Sequence, residues 1–423
     1  MKIAIDLTPV QPGGLNGGAK PLVLDLVQCL VETAPDDEFL FLTSDVTDVE
    51  LSFLDAPNAR RMCMIERRPT RTALPPANAG PVSLKRRVRF ALTRVLPPDL
   101  MLWIERAYLF ATRQRPKHTG LLSDLGIDLL FSPFTALYFY EPRIPSVSLV
   151  HDLQVFTYPR FFTPEQRASR VQDFLRAASR AERLVCTSEY VRDKVLAHAQ
   201  VALEWVPVIN PRMARRLPAV DTASQEKVLM RFGLREGEFL LYPANFWTHK
   251  NHAMLLTALG ILRANRPDLP LKLVCPGEHS GGFGALRCAT EAMHLNDQVL
   301  FPGFVTDAEL AALYQSCLAV VFPSLYEGFG LPVLEAMAFG APVLCSRATS
   351  LPEVAGDAAL YFDPRKPDDI ARAVEQVATD EQLRHRLTEA GSERAEQYAD
   401  LGQTAREYLA LFRELVRVGE AQP

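Results

Sequence analysis

The stretch AVVFPSLYEGFGLPVLEAMAFGAPVLCS, residues 319–346, decides the architecture. Its first four residues, Ala319–Phe322, are apolar without polar alternation, as in strands covered on both faces. A glycine-bearing loop follows at Pro323–Gly330, and a helix is predicted to begin near Leu331. Pro332 suits the first helical turn, where a missing N–H has no intrahelical acceptor to lose. Gly340 ends the helix and Pro342 bars its continuation, just as a second apolar run, Pro342–Cys345, begins. Strand, loop, helix and strand in that order form a βαβ unit, and its strands are parallel.

The same alternation runs outward through nearly the whole chain. One set of predicted strands is Lys2–Leu7, Phe39–Thr43, Leu129–Ser132, Ser146–Val150 and Leu184–Thr187. A second set is Phe239–Tyr242, Leu271–Cys275, Val299–Phe301, Ala319–Phe322, Pro342–Cys345 and Ala359–Phe362. Between them Glu204–Ala223, with Pro207, Pro211 and Pro218, reads as a linker. A chain of 423 residues exceeds one ordinary core. The expected fold class is therefore α/β, with two Rossmann-like domains whose parallel sheets face a central cleft. Ligands belong at the carboxyl ends of the strands.

Composition excludes several classes. With 48% hydrophobic and 23% charged residues the chain is globular, and a net charge of −4 gives no reason to expect a nucleic-acid partner. Seven scattered cysteines at no metal or redox spacing fit a reducing compartment. The start, MKIAIDLTPVQPGG, does not read as a signal peptide, and no run approaches the roughly 18 apolar residues of a membrane span. The expected location is the cytoplasm.

Residues 81–118 depart from the acidic average. Lys85, Arg86, Arg87, Arg89, Arg94, Arg106, Arg113, Arg115 and Lys117 stand against only Asp99 and Glu105, with Trp103, Tyr108 and Phe110 interleaved. Such a segment either lies on an anionic membrane surface, making the chain peripheral to the inner face, or is a solvated basic face.

The chemistry concentrates in Tyr326–Gly340. Gly328 and Gly330 let the backbone approach a ligand closely. The N-terminus of the helix after them offers unpaired amides and a positive dipole end, which suits a diphosphate. Glu327 and Glu335 can accept hydrogen bonds from vicinal hydroxyls. The plainer reading, a β-loop-α joint with surface glutamates, would serve for a glycine loop alone. It does not account for strand, glutamate, Gly-x-Gly, proline and second glutamate together.

With these residues the chain resembles glycosyltransferase family 4, the retaining nucleotide-sugar transferases of the two-domain GT-B fold. Glu327 and Glu335 match the paired glutamates of that family, and GAPVLCS and LPEVAGDAALYFDP (Leu351–Pro364) match the pattern that follows. The resemblance covers nearly the whole chain, is most specific over Tyr326–Pro364, and is weak before residue 140. Its context is nearest to bacterial surface-polysaccharide members, often acting on mannose or related hexoses.

The resemblance implies a role for each matching position. Glu327 would contact the transferred hexose, Glu335 the ribose, and the amides of Gly328, Phe329, Gly330 and Leu331 the sugar and phosphates. Lys250, at a strand-to-helix turn in LLYPANFWTHKNHAM, would neutralise charge on the departing diphosphate. Many relatives carry an arginine five residues earlier. Here Asn245 stands in that place, and His249 is the candidate to compensate. His151, directly after the strand Ser146–Val150, would contact the donor sugar, with Asp152 orienting the imidazole or the loop. Gly13, Gly14, Gly17 and Gly18 match the family's glycine-rich loop near the N-terminus. They do not form GxGxxG, which argues against an NAD-dependent dehydrogenase.

No Asp-x-Asp motif occurs, so no metal or other cofactor is expected beyond the nucleotide-diphosphate sugar itself. The expected enzyme is a metal-independent hexosyltransferase that retains configuration. It would act on a saccharide or lipid-linked acceptor in polysaccharide, lipopolysaccharide or glycolipid biosynthesis. A sugar phosphorylase, a nucleotide-sugar epimerase, or a non-catalytic nucleotide-sugar-binding protein would share the architecture. Domains are expected at 1–210 (acceptor side) and 211–400 (nucleotide-sugar side). An amphipathic pattern at Thr404–Val418 places the last helix, from about 401 to 423, back on the first domain.

Overall fold

A computed structural model describes residues 1–13, 16–65, 120–279 and 281–420. Gly14 and the basic segment 81–118 therefore lie outside the described residues. The chain forms two compact units. One comprises Met1–Cys186, Arg192–Val208 and the chain from Ala405 onward, and the other comprises Thr187–Val191 and Ile209–Thr404.

The first unit holds β1 (Lys2–Asp6), β2 (Glu38–Ser44), β3 (Ala59–Ile65), β4 (Leu129–Ser132), β5 (Ser146–Val150) and β6 (Arg183–Cys186) in the order β3-β2-β1-β4-β5-β6. The second holds β7 (Phe239–Leu241), β8 (Lys272–Val274), β9 (Val299–Leu300), β10 (Ala319–Phe322), β11 (Val343–Ser346) and β12 (Ala359–Phe362) in the order β12-β11-β10-β7-β8-β9. All the pairings between these strands are parallel. Both sheets are doubly wound, with order reversing between β1 and β4 in one and between β7 and β10 in the other. Loops diverge at such a switch point and leave a crevice at the carboxyl ends of the two strands.

The strands expected at the centre of each sheet are covered on both faces: every residue of β4, β5, β10 and β11 is buried, including Ser146 and Ser148 of β5. The first sheet has one strand more than the five expected. β3, sequence ARRMCMI, is an edge strand in which only Ala59 is buried and Arg60, Cys63 and Ile65 are exposed, so it lacks the apolar run that marks the others. Arg61 within it is held by Asp48 and Asp55.

The helix Leu401–Glu420 closes the first unit from Ala405 onward. Tyr408 and Phe412 pack on Phe131 of β4 with ring centroids 5.3 and 5.4 Å away. Arg413 reaches Asp37 at 3.2 Å, and Glu414 accepts from Arg183 at 3.1 Å. One turn earlier, Thr404 Oγ1 accepts from the Arg212 amide and donates to the Asn210 carbonyl within the second unit. Phe412 is fully buried, so Phe412→Ala should cost about 3–5 kcal/mol. Thermal unfolding should show this as an early transition; an unchanged melting profile would mean the helix does not cover that sheet.

Candidate functional site

The two loops at the switch point of the second sheet bring together the sequence-predicted residues Lys250 and Glu327. After β7 the chain makes a 3-10 turn at Thr248–Lys250 and enters the helix His252–Asn265 through Asn251, whose φ of 62° is left-handed. Asparagine tolerates that conformation better than most residues. Its side-chain amide donates to the carbonyls of Pro323 (3.0 Å) and Pro364 (2.8 Å), tying the turn to the loops after β10 and β12. The Leu325 amide donates to the His249 carbonyl (2.8 Å), and the buried Tyr242 hydroxyl donates to the Lys250 carbonyl (2.7 Å).

Held this way, Lys250 Nζ lies 2.7 Å from Glu327 Oε1, with both side chains largely shielded from solvent. Nζ also sits over the Phe322 ring at 5.4 Å. The Glu327 amide donates to Thr349 Oγ1 (3.0 Å), and Ser350 Oγ donates to the carbonyls of Glu327 and Phe329 (both 3.0 Å). The Gly328 carbonyl accepts from Ser188 Oγ (2.7 Å) and Thr187 Oγ1 (3.2 Å), which belong to the same unit. Every peptide of the loop tip is thus fixed by a hydroxyl from another segment.

Gly330, at φ 105°, is the N-cap of the helix Leu331–Ala338. A Cβ there would lie 2.6 Å from the Leu351 side chain, so both conformation and space demand glycine. The expected Pro332 occupies the first turn. Phe329 and Leu331 are buried, and Phe329 packs on Tyr398, so these two contribute backbone rather than side chain to any ligand.

Glu335 differs from Glu327. It is 2% exposed and does not pair with Lys250. Its Oε1 accepts from Arg216 Nε (2.6 Å) and its Oε2 from the Tyr314 hydroxyl (3.1 Å). The reading of surface glutamates is therefore wrong for this residue. Burial pulls the Arg216 guanidinium down, yet Glu335 beside it holds it above its ordinary value. Burial and the Glu335 charge together raise the Tyr314 hydroxyl well above the usual tyrosine range.

Neither Arg216 nor Tyr314 was legible in the sequence. Arg216 lies in the proline-rich stretch read as linker, 119 residues from its partner. A buried glutamate on an apolar helix was the available signal that a cation must come from elsewhere.

Asn245 Oδ1 accepts from the Glu278 amide (3.2 Å), so here it braces the neighbouring loop after β8. The His249 ring stands 5.6 Å from that of Trp247.

The remaining candidates belong to the first unit, also at strand carboxyl ends. His151 follows β5, and its Nε2 donates to the Pro133 carbonyl (2.7 Å), leaving Nδ1 as the ring's acceptor nitrogen. Burial lowers its pKa, against the carbonyl and Asp152, so the ring is neutral near pH 7. Asp152 Oδ1 accepts from the Gln154 amide, which identifies it as a brace of the loop. Gly13 and Gly17 have positive φ, and Gly18 precedes the helix Ala19–Thr33. Lys20, not anticipated, donates to the carbonyls of Gln11 (2.9 Å) and Gly13 (3.2 Å) and pairs with Glu50. Asp6, at the end of β1, is fully buried, and burial lifts its carboxyl to about 7 despite Thr8. Among the described residues, no group of three or more His, Cys, Asp or Glu is disposed to hold a metal ion.

Residues 230–394, which include Lys250, Glu327 and Glu335, match the family described as Glycosyl transferases group 1. That segment is a group 1 glycosyltransferase domain within the second unit. It is 30% identical over 258 residues to O-antigen chain mannosyltransferase B of Escherichia coli, an alignment that takes in 60% of this chain and 66% of that protein. It is 34% identical over 205 residues to the serotype-specific mannosyltransferase WbdA of Escherichia coli, covering 48% of this chain and 25% of WbdA. The chain thus spans less than two thirds of either relative. A crystal structure of Anabaena Alr3699/HepE in complex with UDP and glucose aligns at a TM-score of 0.69 and 16% identity, over 98% of this chain and all of that one. With its two six-stranded parallel sheets, the chain has the two-domain GT-B fold.

One property of the site depends on pH. His252, packed on Tyr242 and Phe246, has its pKa lowered from 6.5 to about 3, chiefly by burial, then by Lys250, against the backbone at Ala244. Unfolded chain binds a proton at this residue below about 6.5 and folded chain does not. The contribution is intact above 6.5 and is lost as pH falls toward 3, with a limiting slope of about 1.4 kcal/mol per pH unit. Urea unfolding of His252→Phe should show a shallower loss of stability between pH 6 and 4 than the parent. Parallel curves would contradict the assignment.

Proposed function

We propose that this chain transfers a hexosyl group from a nucleotide-diphosphate sugar to a saccharide or lipid-linked acceptor, as a retaining, metal-independent member of glycosyltransferase family 4. The work would serve polysaccharide, lipopolysaccharide or glycolipid assembly, and the names of the relatives favour mannose as the sugar. The observation that carries the reading is the Lys250–Glu327 pair beside the N-terminus of the helix Leu331–Ala338.

In this reading the acceptor hydroxyl attacks the anomeric carbon as the bond from that carbon to the diphosphate oxygen breaks. The departing diphosphate takes the acceptor proton on the same face, so configuration is kept. Negative charge grows on the diphosphate, and Lys250 with the amides of Gly328–Leu331 supplies the compensation. Glu327 accepts from a hydroxyl of the transferred sugar. Without donor, Lys250 and Glu327 satisfy each other, so each exchanges one partner for another on binding and neither is left bare. His151 is assigned to sugar contact and Glu335 to the ribose. The amides at Gly13, Gly14, Gly17 and Gly18 are assigned to phosphate or acceptor.

Nucleotide release should be measured with GDP-, UDP- and dTDP-sugars and a matched acceptor. Lys250→Ala and Glu327→Ala should each lower it by about 100-fold or more, and EDTA should leave it unchanged. Normal turnover in either variant would sink the site assignment, and loss with EDTA would sink metal independence.

Among the described residues no helix is long and apolar enough to cross a membrane. The proposed attachment to the inner membrane face rests on the sequence of 81–118 and on a lipid-linked acceptor. It predicts co-sedimentation with anionic vesicles that fades as salt rises. Equal recovery with neutral vesicles would count against it.

A further inference from the structure

Glu335 presents a physical puzzle that the reading of the site leaves open. A carboxylate on an apolar helix, 2% exposed, is a poor ligand for a nucleotide unless its orientation is fixed and its charge balanced. Both requirements are met from outside the glycine loop. Arg216 lies beyond the strands, in the stretch between the proline residues Pro211 and Pro218. Its Nε meets Oε1 at 2.6 Å, and its Nη1 lies 3.7 Å from Asp307 at the start of the helix Asp307–Ser316. Tyr314, on the same helix, takes Oε2 and also donates to the Pro332 carbonyl (3.3 Å). One donor sits on each oxygen. An ionised carboxylate has about four lone-pair sites, so one on each oxygen stays available, set by where the two protein donors lie.

We propose that Arg216 is a positioning residue that orients Glu335 toward the nucleotide ribose and thereby sets a preference for ribonucleotides over 2′-deoxyribonucleotides. The inference rests on the reading that Glu335 meets the ribose, and it assigns that contact's geometry to a residue of the linker. Two vicinal hydroxyls can bridge the two oxygens only if the carboxylate plane is fixed. Without Arg216 the side chain can rotate about its terminal bond, and loss of the 2′-hydroxyl then matters less.

The test is calorimetric binding of GDP, UDP and ADP, each beside its 2′-deoxy counterpart, to the parent, Arg216→Gln, Arg216→Lys and Glu335→Gln. The parent should bind its preferred ribonucleotide about tenfold more tightly than the deoxy form, the factor expected of a hydrogen bond to a charged group. Arg216→Gln and Glu335→Gln should bring that ratio close to one, with affinity for the deoxy nucleotide almost unmoved. Arg216→Lys, which keeps the charge without the fork, should restore part of it.

A merely structural Arg216 would weaken both nucleotides equally and leave the ratio intact, which overturns the proposal. If Arg216→Gln is too unstable to measure, the double variant Arg216→Gln/Glu335→Gln buries no unpaired charge. It should match Glu335→Gln alone, and a further change in ratio would be contrary evidence. If the parent and Glu335→Gln show the same ratio, Glu335 does not meet the ribose and the inference falls with that reading. Turnover through Lys250 and Glu327 would be untouched by that result.

Discussion

The carboxyl edge of the second sheet depends on one side-chain amide. Asn251 sits in a left-handed conformation at the entrance to its helix and spends both hydrogens on carbonyls of two other loops, at Pro323 and Pro364. Those loops follow β10 and β12, which are not neighbours in the sheet. A parallel sheet brings strand ends to one edge without fixing the loops beyond them. Here that second task falls to a residue whose backbone conformation and hydrogen-bonding group are used together. The Lys250 turn is then pinned from three sides, since its own carbonyl is taken by Tyr242 and that of His249 by Leu325. The Lys250–Glu327 pair, 2.7 Å apart, thus joins two loops whose backbones are already fixed, which lowers the entropy lost in ordering two flexible side chains.

How much of this was legible in the sequence depends on whether the cause is local. Continuous apolar runs announce central strands because burial on both faces favours such residues, and β4, β5, β10 and β11 were read correctly. β3 was missed because an edge strand has no such constraint, and its arginines are tied to loop aspartates instead. The β10-loop-helix joint was legible down to Gly330 and Pro332, since φ and the missing N–H act within a few residues. Arg216, Tyr314 and Lys20 were not. Each matters through a partner that only folding brings near, and the sequence around each is ordinary.

The two glutamates also show why spacing alone understates a site. They share one short segment, and one pairs with a lysine that is 14% exposed while the other is closed in by Arg216 and Tyr314. Burying a charge pair is often no net gain over apolar packing, and breaking one by removing a partner typically costs about 3–5 kcal/mol. Stability therefore gives little reason for a helix as apolar as LPVLEAMA to carry Glu335 at all. The proposed ribose contact would supply that reason, and the ion pair with Arg216 is what makes an ionised side chain tolerable there.

The charge balance around Lys250 follows from the same physics. His252, two residues on, begins the helix and is buried against two aromatic rings, so a proton there would face lost hydration, the Lys250 charge and the positive end of a helix dipole. It stays neutral, and the turn carries its positive charge on Lys250, already matched by Glu327. Asn245, where relatives of the resembled family often place an arginine, adds no charge and is used to hold the Glu278 amide. The close approach it braces is tight enough that a Cβ on Gly277 would lie 2.4 Å from the Ala244 carbonyl. An arginine at Asn245 would give up that amide brace for a second cation. With asparagine there, the loop is held by neutral hydrogen bonds, and a bound diphosphate would draw its compensation from Lys250 and from the amides of the helix that begins at Leu331.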